Sequence, residues 1–207
     1  MNANYLVTNG LVMVPVYGCA TDETAKAMLT GLSGGLNAKQ ADFNPFNGQL
    51  EVVADAQLDA NARGSFLLTQ AAARQMIAQG GRGKIVNVAS ISGKFGNVRH
   101  LHYGATKAAV IQFSRVLAVQ YAKQGIRVNT VVPGQLHTPM VEVRLAGQRA
   151  GGDVEKLLEQ RQARIPLPFM GDGRDTANAA LYLASEEARF ITGTEIVVDG
   201  GMSVRCG

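Results

Sequence analysis

A chain of 207 residues that is 46% hydrophobic and 17% charged has the length and balance of one domain able to bury a core, read here as a single unit spanning 1–207. Its net charge of +4 is slight, and Arg144, Arg149, Arg161 and Arg164 are interleaved with Glu142, Asp153, Glu155 and Glu159, so a solvated helical face is expected in place of a nucleic-acid surface. No apolar run is long enough to span a bilayer, and Cys19 and Cys206, at opposite ends, suggest neither a disulfide framework nor a metal site, which points to a reducing cytoplasm with no membrane partner.

The first 57 residues carry two competing patterns. Residues 5–8 and 11–14, joined by Asn9-Gly10, have the form of a β-hairpin, because Asn-Gly accepts the positive φ angles of a tight turn. The stretch 11–19 has no preceding Lys or Arg and is interrupted by Pro15, so it is not read as a leader. Further on, Thr30-Gly31-Leu32-Ser33-Gly34-Gly35-Leu36-Asn37 is a candidate phosphate loop, since glycines let backbone N–H groups approach a pyrophosphate. Asn44-Pro45 then stops any following helix early.

From residue 58 onward helical and strand patterns alternate. Residues 58–79 are rich in Ala, Leu, Gln and Arg at helical spacing and end at Gly80-Gly81. Residues 84–90 form a compact apolar strand, 103–124 a second helix ended by Gly125, and 126–132 another buried strand stopped by Pro133-Gly134. A polar helical stretch over 139–164, a helix over 174–185 and a strand over 195–198 complete the pattern. Alternation of this kind predicts an α/β fold, a doubly wound parallel sheet with helices on both faces, altered in its N-terminal half.

One constellation carries chemistry. Tyr103 and Lys107 stand four apart in Tyr103-Gly104-Ala105-Thr106-Lys107 and so project from one helical face. An ammonium beside a phenol favours the phenolate, which would bring a group that normally ionises near pH 10 toward use as an acid or base. Ser90 ends a buried strand, where parallel sheets offer side chains to a ligand crevice, and its hydroxyl can hold a substrate oxygen; Ser92 competes for that role. Asn61 is an amide at a poor helical position, suited to holding a water or a backbone group.

Together these residues resemble the catalytic tetrad of the short-chain dehydrogenase/reductase family. Asn61 in Leu58-Asp59-Ala60-Asn61-Ala62-Arg63-Gly64, Ser90 in Val86-Asn87-Val88-Ala89-Ser90-Ile91-Ser92-Gly93, and Tyr103 with Lys107 carry the likeness. Asn129-Thr130-Val131-Val132-Pro133-Gly134-Gln135-Leu136-His137-Thr138 and Val198-Asp199-Gly200-Gly201 are similar to later family segments, so that the match covers about the last three quarters of the chain. The resemblance implies a Rossmann-like fold and hydride transfer between NAD or NADP and an alcohol or carbonyl substrate. Tyr103 would be the general acid/base, Lys107 would bind the nicotinamide ribose and depress the Tyr103 pKa, Ser90 would orient the carbonyl, and Asn61 would support a proton-relay water. Pro133, Gly134, Leu136 and Thr138 would line the nicotinamide and its phosphate.

The resemblance fails at the N-terminus. Family members begin with a Thr-Gly-x-x-x-Gly-x-Gly turn, a selector for the ribose and an Asn-Asn-Ala-Gly strand. Here Asn37 replaces the last glycine of the first pattern, and the loop lies too close to Asn61 for the strands between. Leu6-Val7-Thr8-Asn9-Gly10 is faintly similar to the later strand, but stands too far upstream of Asn61. Either residues 1–57 rebuild part of that half in shortened form, or the chain descends from a longer enzyme by truncation or a reading-frame change. The alternative to an enzyme is therefore a scaffold that kept the family's oligomer surfaces and lost its cofactor. Under both readings the resemblance implies a homodimer or homotetramer in which helices 58–79 and 103–124 pair across a two-fold axis. Residues 136–170 are expected to cover the substrate, with Arg99, His100 and His102 near its mouth.

Overall fold

The computed structural model describes residues 5–9, 12–13, 57–96, 101–142 and 153–205. Strands β1 (Tyr5–Asn9) and β2 (Val12–Met13) stand at one side of the sheet. The helix α1 (Gly64–Ala78) is entered through a π-helical turn, Leu58–Arg63, and is followed by β3 (Lys84–Val88). Then come α2 (Leu101–Tyr121), β4 (Arg127–Pro133), α3 (Val154–Gln162), α4 (Gly173–Ala184) and β5 (Glu195–Val198). The sheet order is β2-β1-β3-β4-β5, with β1, β3, β4 and β5 parallel and β2 antiparallel to β1.

Alternation along the central strands sends side chains into two cores. Ile85 and Val128 pack with Ala73, Met76, Leu117 and Ala118 from α1 and α2, whereas Val86 and Val131 pack on the other face with Ala180, Leu183 and Ala184 from α4. Because both faces are covered, even the polar members of β3 and β4, Asn87, Asn129 and Thr130, are buried, and each fully buried Val or Ile contributes about 1.5–3 kcal/mol. The helix α4 is started by a capping box in which Asp172 and Asp175 each accept from the other's backbone N–H.

Several expectations change in detail. Asn9 pairs with Val12, so it belongs to the strand and not to the hairpin turn. The strand Tyr5–Asn9, which the sequence set aside as too far upstream, lies parallel to β3 with Asn9 opposite Val88. Strand β3 ends at Val88, leaving Ser90 beyond it in extended backbone at φ −167° and ψ 154°. The predicted helix over 58–79 is π-helical in its first turn, and the stretch 139–164 is helical at 139–142 and again over Val154–Gln162. The candidate phosphate loop Thr30–Asn37, and Arg99 and His100, lie outside the described residues.

Candidate active site

The site is built where β3 and β4 end. Ser90 follows β3 and caps the short turn Ile91–Gly93 by accepting from the Ser92 N–H at 3.2 Å. That turn lies against the first turns of α2. A Cβ on Gly93 would stand 2.7 Å from the Ala108 nitrogen, and one on Gly104 would stand 2.8 Å from the Ser92 oxygen, so two glycines permit the approach that brings the Ser90 turn onto the helix of Tyr103. Tyr103 is half-buried there, with a side-chain hydrogen bond to Ser90.

Lys107, one turn along α2, is only 4% exposed. Its ammonium donates to the Val88 carbonyl at 3.1 Å and lies 5.7 Å from the centroid of the Tyr103 ring. Burial lowers the Lys107 pKa to about 8. Burial also raises the Tyr103 phenol above its ordinary value, against a smaller downward pull from the Ser90 hydrogen bond. In the protein alone one N–H of the ammonium is engaged by the Val88 carbonyl, and loss of water around the phenol outweighs the pull of the Ser90 hydrogen bond.

Asn61 sits in the π-helical turn, where the Gly64 N–H reaches back to the Asp59 carbonyl. Such turns recur at functional sites because they displace a side chain from its α-helical direction. The Asn61 amide donates to Thr106 Oγ1 at 3.3 Å, and Thr106 donates to the Tyr103 carbonyl at 2.8 Å. All four predicted site residues are thus on one end of the sheet, with Asn61 joined to the helix of Tyr103 through Thr106.

The remaining predicted residues line the exit from β4. Pro133 pairs with Val198, and the Gly134 N–H donates to the Val198 carbonyl at 2.9 Å. A Cβ on Gly134 would meet the Asp199 Cβ at 2.5 Å, so glycine is required for this chain to pass. Asp199 in turn accepts from the Gly201 and Ser203 N–H groups at 2.9 and 2.7 Å. The Leu136 carbonyl accepts from Arg161, the His137 N–H donates to the Gly171 carbonyl, and Thr138 accepts from the Val141 N–H. Leu136 also lines an apolar cleft with Leu167, Phe169, Val197 and Val198. Of the mouth residues, His102 begins α2 with a buried Nε2 that has no hydrogen-bond partner among the described residues.

Sequence reasoning passed over a buried polar chain beneath the site. Thr69 on α1 donates to the Ser65 carbonyl at 2.8 Å and stands 3.2 Å from Asn87 Oδ1, and Asn87 Nδ2 donates to Ser114 on α2 at 2.8 Å, with Thr69, Asn87 and Ser114 at most 1% exposed. It joins the three elements that carry Asn61, Ser90 and Tyr103. A polar residue on the buried stripe of each element was the available signal. Glu195 was also missed: it pairs with Lys94, just after the Ser90 turn, and with Arg115 on α2.

A family model described as enoyl-(acyl carrier protein) reductase matches residues 40–203, and a Burkholderia xenovorans protein assigned to the short-chain dehydrogenases/reductases is 58% identical, with a TM-score of 0.70 over 76% of this chain and 59% of that one. The chain belongs to the short-chain dehydrogenase/reductase family. Among curated members, the mouse (3R)-3-hydroxyacyl-CoA dehydrogenase is 40% identical over 148 residues, 72% of this chain and 54% of the relative. L-rhamnose 1-dehydrogenase (NAD(P)(+)) from a Sphingomonas strain is 37% identical over 188 residues, 89% of this chain and 71% of the relative. This short-chain dehydrogenase/reductase spans about half the length of the hydroxyacyl-CoA dehydrogenases it matches. Among the described residues, no helix is long and apolar enough to cross a membrane.

Proposed function

We propose that the protein is an NAD(P)-dependent oxidoreductase that moves a hydride between the nicotinamide and a small alcohol or carbonyl compound, with Tyr103 as general acid/base. The observation that carries this reading is the hydrogen bond between Ser90 and a Tyr103 phenol that has the Lys107 ammonium over its ring. Support also comes from relatives named as dehydrogenases, among them one named for NAD(P)(+), and from similarity to a 4-hydroxyisoleucine dehydrogenase complexed with NADH.

The residues present fit the nicotinamide half of such a cofactor. A buried ammonium has three N–H donors, and among the described residues the hydrogen-bond acceptor of Lys107 is the Val88 carbonyl, which leaves donors for ribose hydroxyls. Lys107 and Tyr103 would hold the ribose, while Pro133, Gly134, Leu136 and Thr138 would line the nicotinamide. When bound, the nicotinamide supplies or accepts the hydride. The chain's own residues do the rest. The Ser90 hydroxyl donates to the substrate oxygen and fixes its position. In reduction the Tyr103 phenol gives its proton to that oxygen as the carbonyl becomes an alcohol; in oxidation the phenolate takes the hydroxyl proton. The Asn61 side chain supports the water that resupplies Tyr103. Burial of Lys107 and Tyr103 keeps bulk water from competing for these bonds.

We further read the protein as one domain over 1–207 and as a cytoplasmic homodimer or homotetramer. Support for assembly comes from Phe66 and Val116, which are 38% and 53% exposed and line an apolar groove between α1 and α2 with Phe113 and Leu117. Equilibrium titration with NADH and NADPH, read by nicotinamide fluorescence, tests the function. Saturable binding of either, with turnover of an alcohol or ketone that Tyr103→Phe abolishes while the cofactor still binds, is the expected result. A folded protein that binds neither would overturn the enzyme reading in favour of a non-catalytic oligomeric scaffold.

A further inference from the structure

Thr106 lies between Tyr103 and Lys107 in sequence and is completely buried. Its Oγ1 is 2.8 Å from the Tyr103 carbonyl oxygen and 3.3 Å from Asn61 Nδ2. A carbonyl oxygen only accepts, so the hydroxyl proton of Thr106 is committed to Tyr103, and only lone pairs remain for Asn61. The two ends of a primary amide have nearly the same shape, and their placement is decided by hydrogen bonding. Were the Asn61 amide reversed, its oxygen would face a buried hydroxyl oxygen that has no proton left to give. An unmatched polar contact of that kind is unfavourable in a fully buried position.

One hydroxyl therefore decides which end of Asn61 faces α2. The donor end is held inward, and the acceptor, Oδ1, is turned away from the helix. The π-helical turn carries Asn61 at the entrance to α1, so the bond to Thr106 spans two elements separated by 45 residues in sequence and ties that turn to the backbone of Tyr103 itself. Thr69, Asn87 and Ser114 join the same two helices deeper in the core, through β3. Those bonds hold the helices together without touching Asn61, and leave the amide's direction to Thr106.

We infer that Thr106 is a positioning residue for the reaction, setting the polarity of the Asn61 amide by donating to the Tyr103 carbonyl and accepting from Asn61 Nδ2. This rests on the oxidoreductase reading, because it makes Thr106 act through Asn61 and Tyr103 on proton delivery. The hydroxyl is the operative group, so Thr106→Ser should behave as the native chain and the nearly isosteric Thr106→Val should not.

The test combines two readouts on the full chain. The first is the side-chain amide signal of Asn61 in a ¹⁵N-correlated NMR spectrum, assigned by its loss in Asn61→Asp. The second is the separation of kcat from KM in alcohol oxidation at saturating NAD or NADP. Thr106→Val should shift the Asn61 amide pair and lower kcat by about ten- to a hundredfold, the scale of impaired proton transfer, with substrate KM and cofactor affinity within about twofold. Thr106→Ser should restore both readouts. Thr106→Ala, which removes the same hydroxyl and adds no bulk, replaces the valine variant if that variant does not fold. An unmoved amide signal, an undiminished kcat, or failure of serine to rescue would overturn the inference while native turnover leaves the oxidoreductase reading standing. A native chain that turns over no substrate, or a Tyr103→Phe variant that still does, would instead bring down that reading and the catalytic role of Thr106 with it.

Discussion

Gly93 packs directly on the backbone of Lys107, where an added Cβ would lie 2.7 Å from the Lys107 carbonyl carbon. The contact sets how closely the Ser90 turn approaches the helix of Tyr103, and backbone on both sides leaves nothing flexible to give way. Gly93→Ala should therefore displace Ser90 from Tyr103. We expect a stability loss of about 1–3 kcal/mol from overpacking and a fall in kcat/KM of at least about tenfold, since sub-ångström misplacement is costly to oriented reactions. Unchanged steady-state kinetics in a folded Gly93→Ala protein would count against this account of the site's registration.

Lys107 provides a prediction about pH. Its folded-state pKa of about 8 lies below the ordinary 10.5, so between these values the unfolded chain binds a proton that the folded chain does not. Stability contributed through this group must then rise with pH from about 8 to 10.5 and be flat below, with a total near 3 kcal/mol at about 1.4 kcal/mol per pKa unit. Urea unfolding of the native chain and of Lys107→Met over that window should differ in slope, the variant lacking the rise. Parallel curves would show that Lys107 is not buried as a charge.

Tyr103 should remain a phenol where free tyrosine is half ionised. Burial raises its pKa and the Ser90 hydrogen bond lowers it, so Ser90→Ala should raise it further. The ¹³Cζ resonance of Tyr103, followed in the cofactor-free protein to pH 10, should keep its neutral position in both. A midpoint below 10 in the native chain would contradict the dominance of burial.

The chain Thr69–Asn87–Ser114 should matter for stability more than its small size suggests. Asn87→Ala leaves the Thr69 and Ser114 hydroxyls without their shared partner in a fully buried position. We expect a loss of about 2–4 kcal/mol, from the cavity and from the lost bonds across three elements, since the two hydroxyls keep the Ser65 and Val110 carbonyls as acceptors. Replacing Thr69 and Ser114 together with Val and Ala in the Asn87→Leu background should recover part of it, as measured by urea midpoints, because apolar side chains then fill the space.

Glu195 ties the segment after Ser90 to α2. Its side chain is 8% exposed, whereas Lys94 and Arg115 are 31% and 50% exposed, so solvent screens the pairs from the cations' side. Glu195→Gln should cost about 1–2 kcal/mol at low salt and less in 1 M salt. An equal loss at both salt concentrations would assign the effect to packing.

Much of this protein is determined by sequence alone. Apolar runs at 84–90 and 126–132, separated by amphipathic helices and ended by Gly or Pro, specify parallel strands covered on both faces, because neither run has a polar side to give to water. Tyr103 and Lys107 are legible together because helical periodicity brings residues four apart to one face. Other relationships needed tertiary structure. The strand Tyr5–Asn9 reaches its place beside β3 through long-range hydrogen bonding, which no local spacing encodes. Thr106, Asn87 and Glu195 acquire their meaning from partners on other elements. The direction in which burial moves the Tyr103 pKa is likewise a three-dimensional quantity: the residue types suggest an ammonium beside a phenol, and only the fold decides that the ammonium turns to the Val88 carbonyl while water is withdrawn from the ring. Local periodicity is written in the order of residues, whereas desolvation and hydrogen-bond polarity depend on which surfaces the fold brings together.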